Sequence, residues 1–162
     1  MALSQATANA DTSSWSSLQA NPTLMSNVRI NMLSASTTAW LTSVLTALDA
    51  KDLSAYTSFM APQVSLQFNN SPAIVGIDAA RSFLSQYWTT FGSLRHEELN
   101  VYGTETNLVH EALNHYTGLD GRKVTVRAVA WIDRDEEGRI EGLRVYADLS
   151  KLWSQEGQEE AD

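Results

Sequence analysis

The 162 residues carry a formal net charge of −8, are 43% hydrophobic and 19% charged, and include no cysteine. That length suits one domain with a proper core, and the acidic balance disfavours nucleic acid and anionic membranes as partners. No apolar run is long enough to span a bilayer, and the missing cysteine excludes disulfides, a thiol nucleophile and a cysteine-based zinc site.

The opening stretch, MALSQATANADTSSW, lacks a basic region followed by an apolar core. No secretory leader is therefore expected, and a cytoplasmic location is the default. Residues 1–34 read as an arm, polar and partly flexible to about residue 21. From Pro22 to Leu33 the arm is more apolar, and a helix there would pack on the domain or on a partner subunit.

The domain proper is expected over residues 35–153. Trp40, Leu41, Val44, Leu45 and Leu48 recur at helical spacing, predicting a helix from about Ser36 to Ala50. Asp52 is placed to cap a short second helix that Pro62 would end. Val64, Leu66 and Phe68 alternate with polar residues, as in a strand with one buried face. After the turn Asn69-Asn70-Ser71-Pro72, a third helix capped by Asp78 presents Ala79, Ala80, Phe83, Leu84, Tyr87, Trp88 and Phe91, and Gly92 stops it. Leu94 to Tyr102 is a strand. Beyond Trp153 the acidic residues 154–162 read as a tail.

Thr106 to Trp153 reads as three antiparallel strands joined by tight turns at Leu119-Asp120-Gly121-Arg122 and Glu136-Glu137-Gly138-Arg139. With Asp120-Gly121 as the tip, Thr117 pairs with Val124, His115 with Val126, Leu113 with Ala128, Glu111 with Ala130 and Val109 with Ile132. This pairing puts Glu111 and His115 on an otherwise apolar concave face that Leu143, Val145 and Ala147 continue. Helices early and strands late indicate an α+β fold, with helices covering one face of a bent antiparallel sheet.

The arrangement resembles the SnoaL-like branch of the nuclear-transport-factor-like, cystatin-cone superfamily. The resemblance is carried by Asn70-Ser71-Pro72 with Gly76 and a helix, Leu94-Arg95-His96-Glu97, Tyr116-Thr117 with Asp120-Gly121, and Gly138-Arg139-Ile140 with Arg144-Val145-Tyr146-Ala147-Asp148. It implies a cone-shaped pocket, a homodimer, and an activity among the polyketide cyclases, ketosteroid isomerases, dehydratases and epoxide hydrolases, mostly with no metal or organic cofactor. The chain departs from that pattern where the cyclases' last-strand carboxylate matches Val145 and their preceding-strand histidine falls near Ala130. Of an epoxide-hydrolase-like site, only an Asn in an Asn-x-Pro turn is matched, by Asn70.

The expected site follows from both readings. Glu111 is the candidate general acid or base, with His115 or His96 as its counterpart and Asn70 as an orienting group. Glu111 and His115 are four apart on one strand, about 13 Å by strand rise, so they would address two ends of one ligand. Trp40, Tyr56, Phe68, Tyr87, Trp88, Leu113 and Val145 are expected to line the substrate pocket. The outer sheet face, with Trp131, Tyr116, Arg127 and Tyr146, is too apolar for a free surface and suggests a homodimer interface. The functional expectation is a cofactor-independent isomerase or cyclase acting on a hydrophobic polycyclic metabolite, polyketide- or terpenoid-like. The alternatives are a non-catalytic module that binds small molecules in the same cone, or an interaction subunit.

Overall fold

In the computed structural model the described residues are 33–153. Most of the expected N-terminal arm and all of the acidic tail lie outside them. Among the described residues, no helix is long and apolar enough to cross a membrane.

Helix α1 spans Ala35–Asp49, and the Ser34 hydroxyl caps it by accepting from the Thr37 amide. The carboxylate of Glu105, in a distant turn, also accepts from Ser34 and from the buried Thr37 hydroxyl, so the start of the helix is fixed to the sheet. Asp52 caps α2 (Leu53–Ser58), as expected. Strand β1 (Met60–Phe68) begins before Pro62, so that proline sits within the strand and is not the helix stop. After the short β2 (Ile74–Val75) comes α3 (Ile77–Tyr87). Its cap is Gly76, at φ 92°; Asp78 lies in the first turn, where its charge suits the positive end of the helix dipole. The strands β3 (Ser93–Gly103), β4 (Asn107–Thr117), β5 (Lys123–Arg134) and β6 (Ile140–Ala147) follow, and then a short helix α4 (Ser150–Trp153). Asp148 accepts from the Ser150 amide and so starts α4.

The fold is α+β, with a curved, unclosed six-stranded sheet in the order β2-β1-β6-β5-β4-β3. The sheet is mixed, which corrects the all-antiparallel expectation: β1 runs parallel to β6, with Ser65 opposite Gly142 and Phe68 opposite Val145. Asn69, at φ 49°, closes the end of this pair, because its side chain both donates to the Ala147 carbonyl and accepts from the Ala147 amide. The helices supply Leu41, Val44, Leu45, Tyr56, Leu84 and Trp88 to the core against the sheet's concave face. Lys51 joins two helical segments: its ammonium donates to the carbonyls of Trp88 and Phe91 at 2.9 and 2.6 Å.

The register of β4 differs from the expected one by a single residue. Tyr116 lies opposite Val124, Asn114 opposite Val126, Ala112 opposite Ala128, His110 opposite Ala130 and Leu108 opposite Ile132. The cause is the length of the turn. Gly118 N donates to Arg122 O, leaving a three-residue loop, Leu119-Asp120-Gly121, with Gly121 at φ 83°. A type I turn followed by a left-handed glycine is the usual three-residue solution, and the assumed two-residue tip would shift the pairing by one. Because side chains alternate with period two, that shift turns every residue of one strand over. β5 and β6 face as expected, whereas β4 presents Leu108, His110, Ala112, Asn114 and Tyr116 to the core.

Candidate active site

The concave face and the helices enclose a cavity of about 100 Å³. Its floor is made of small side chains: Ala112, Ala128, Ala130 and Ala147 come from three adjacent strands and all line it, with Ala112 opposite Ala128 and Ala128 opposite Ala147. Small side chains leave a flat surface where larger ones would fill the cone. The helical roof contributes Val44, Leu48, Tyr56, Leu84, Tyr87 and Trp88, and Phe68 and Val145 close the β1–β6 side.

Four of the polar side chains of the cavity, His96, His110, Asn114 and Tyr116, come from β3 and β4. His96 faces inward from β3, opposite Asn114, and its ring Nδ1 is 2.6 Å from Asp49 Oδ1 at the end of α1. The backbone amide of His96 donates to the other oxygen of the same carboxylate at 3.0 Å. A carboxylate only accepts, so the proton of the neutral imidazole is held on Nδ1 and the lone pair is left on Nε2, on a ring that lines the cavity. His110 lies with its ring centroid 6.2 Å from that of His96. Burial, together with the neighbouring His96, lowers the His110 pKa to about 4, so this imidazole is neutral at physiological pH. Farther along β4 the Tyr116 hydroxyl is 3.2 Å from that of Tyr87, and burial raises both phenols above their ordinary range. Three polar atoms in this lining are buried without a hydrogen-bond partner: His110 Nε2, Asn114 Oδ1 and Trp88 Nε1.

Of the residues expected from sequence, His96, Tyr56, Phe68, Tyr87, Trp88 and Val145 line the cavity. Glu111 and His115 do not, and their inward placement is corrected by the β4 register. On the outer face, Glu111 pairs with Arg127 and Asn100, whose hydrogen bonds hold its carboxyl below the usual range. His115 bridges Glu97 and Thr125 at 2.9 Å each. Leu113 is turned outward by the same slip, and Tyr116, expected outside, is buried within. Asn70 is exposed; its neighbour Asn69 lines the cavity and braces the strand end. Trp40 packs edge-on against Phe59 and under the Arg134 guanidinium, 4.1 Å from its ring, outside the cavity lining.

Sequence reasoning missed Asp49, His110 and Asn114. The signal for the two β4 residues was the Gly118-Leu119-Asp120-Gly121 string, which fits a three-residue loop as well as a two-residue one. Asp49 gave none, because its partner lies 47 positions away. Among the described residues, no cluster of His, Asp and Glu side chains could hold a metal ion.

An α+β cone with a cavity between its helices and a curved sheet defines the nuclear-transport-factor-like class. The signature of the SnoaL-like domain matches residues 41–142, and the chain belongs to that family. No curated protein sequence matches it. Among solved structures it is similar to an NTF2-like protein of unknown function from Burkholderia pseudomallei, with 16% identity, a TM-score of 0.66 and coverage of 74% of this chain and 95% of the other. A putative polyketide cyclase from Xanthomonas campestris is similar at 20% identity and TM-score 0.63, over 71% of this chain and 92% of that one. An epoxide hydrolase of the LEH-like type from M. tuberculosis is similar at 15% identity and TM-score 0.60, over 72% and 85%.

Proposed function

We propose that the chain is a cofactor-independent enzyme of isomerase or cyclase type. It moves a proton on a hydrophobic, ring-containing metabolite, polyketide- or terpenoid-like. The observation that carries this reading is the Asp49–His96 pair, a 2.6 Å contact that fixes the imidazole so that its basic nitrogen is the one not held by the carboxylate. His96 serves as general base and returns the proton as general acid, and Asp49 positions it. His110, kept neutral by burial, is the second imidazole within reach of a bound ligand and can donate or accept a hydrogen bond without adding charge. The apolar roof and alanine floor hold the ring in place, which contributes through orientation. Glu111 and His115, on the opposite side of the sheet, have no part in this chemistry.

The same reading includes a homodimer. Trp131 and Tyr146 are exposed on the outer sheet face beside Arg127 and Arg144, with the Arg144 guanidinium 5.3 Å from the Trp131 ring centre. Aromatic and arginine side chains on one open face are the composition of an interface core.

A test that needs no knowledge of the substrate uses 2-tetralone, an enolisable two-ring ketone, in deuterium oxide. The chain is expected to accelerate exchange of the α-protons over buffer, and His96→Ala to lower the rate by about 10²-fold or more. Exchange no faster than buffer, or equal in the variant, overturns the reading. A second reading, a binding module without turnover, is favoured by Val145 and Ala130, which stand where the resemblance would put a carboxylate and a histidine. It predicts tight ligand binding with no exchange.

A further inference from the structure

We infer that the cavity selects a flat ring bearing a free hydroxyl group, and that Asn114 is the residue that reads it. The inference rests on the cavity being a ligand site, as proposed above, but not on catalysis. Asn114 is 6% exposed, and its Oδ1 has no hydrogen-bond partner. Tyr116, two residues farther along the same buried face of β4, has its hydroxyl 3.2 Å from that of Tyr87. Asn114 lines the cavity, and the unpaired oxygen of its amide can only accept. An unpaired buried acceptor is costly, and only a donor relieves it.

The rest of the lining narrows the class. Trp88 Nε1 is a second orphan, a donor on the roof, so the ligand also presents an acceptor oxygen. The floor of Ala112, Ala128, Ala130 and Ala147 admits a flat ring and would leave voids under a globular one. Across the β3–β4 pair, Asn114 stands directly opposite His96. A hydroxyl bound to Asn114 therefore fixes which part of the ring lies beside the proposed base. The ligand class is a planar ring with a phenolic or enolic hydroxyl. The corresponding methyl ether, of similar shape but without a donor, is rejected.

The test is a titration of the full chain with 2-naphthol and with 2-methoxynaphthalene, followed by calorimetry. Sites built to pair with a polar group discriminate strongly against analogues that lack it. Wild type is expected to bind the naphthol about ten-fold or more tightly than the ether, and Asn114→Leu to bring the two within about two-fold. Equal binding of the pair by wild type, or a preference that survives in Asn114→Leu, overturns the inference. Should Asn114→Leu fail to fold, the wild-type preference alone decides. The preference is also measured in His96→Ala. There it is expected to persist, so a failure of the catalytic reading is distinguishable from a failure of this one.

Discussion

Asp49 and His96 are joined twice, once through the imidazole Nδ1 at 2.6 Å and once through the backbone amide at 3.0 Å, by the two oxygens of one carboxylate. The end of α1 and the middle of β3 are thereby fixed to each other at the edge of the cavity. Asp49→Asn keeps the shape but can present an N–H to the ring, which then loses its fixed tautomer. Proton exchange on 2-tetralone is expected to fall by about 10²-fold, with little loss of naphthol binding. Glu111→Gln, on the outer face, is expected to stay within two-fold of wild type. An effect of Glu111→Gln as large as that of Asp49→Asn would place the base on the wrong side of the sheet.

His110 gives a pH dependence whose sign is fixed. Its folded pKa is lowered to about 4 by burial and by His96, against an ordinary value of 6.5. Between those values the unfolded chain takes up a proton that the folded chain refuses, so stability rises with pH through the window. Its contribution is complete above pH 6.5 and is lost as pH falls toward 4, by on the order of 3 kcal/mol. Urea midpoints at pH 7 and pH 5 are expected to differ in wild type and to differ distinctly less in His110→Phe. Parallel pH profiles for the two proteins would contradict the buried neutral imidazole.

Two glycines in left-handed backbone should respond very differently to alanine. At Gly121, φ 83°, nothing stands within 4 Å of an added Cβ, so Gly121→Ala costs only backbone strain, about 1 kcal/mol. At Gly103, φ 131°, the Cβ would meet the Asn107 carbonyl oxygen at 1.9 Å. Backbone cannot move aside cheaply there, and Gly103→Ala is expected to cost several-fold more, or to prevent folding. Chemical denaturation of both variants checks the order, and a reversal would mean the β3–β4 turn is built differently.

Trp131→Glu puts a charge in the middle of the exposed outer face. Sedimentation is expected to show a dimer for wild type and a monomer for the variant, with 2-naphthol binding unchanged because the cavity opens on the other face. A variant that remains dimeric would move the interface elsewhere.

How much of this was legible depended on whether one strand face differed from the other. On β5 and β6, Val126, Ala128, Ile132 and Leu143 alternate with Arg127, Trp131 and Arg144, and the inner face could be read directly. On β4 the two candidate faces were Leu108, His110, Ala112, Asn114, Tyr116 and Val109, Glu111, Leu113, His115, Thr117. Each mixes apolar with polar residues, so hydrophobicity could not decide and the turn length did. The choice inverted the site, exchanging Glu111 and His115 for His110 and Asn114. The family, the helices and the aromatic roof did not depend on that choice. Asp49 lay beyond reach because a helix-end carboxylate is indistinguishable in sequence from a solvated one.

The clasp between Asn69 and Ala147 joins residues 78 positions apart, and the parallel β1–β6 pair it closes spans a similar distance. Local turns can assemble β3 to β6 early, but β1 has no long neighbour until β6 is in place. Before then, its side facing β6 is an open edge able to pair with another chain. Closing so large a loop costs more entropy than closing the local turns, so the pairing of β1 with β6 is expected to follow theirs. A nascent chain therefore carries its helices and β1 for the whole time that β3, β4 and β5 are being synthesised, and aggregation at that stage, not instability of the finished fold, is the hazard this topology creates.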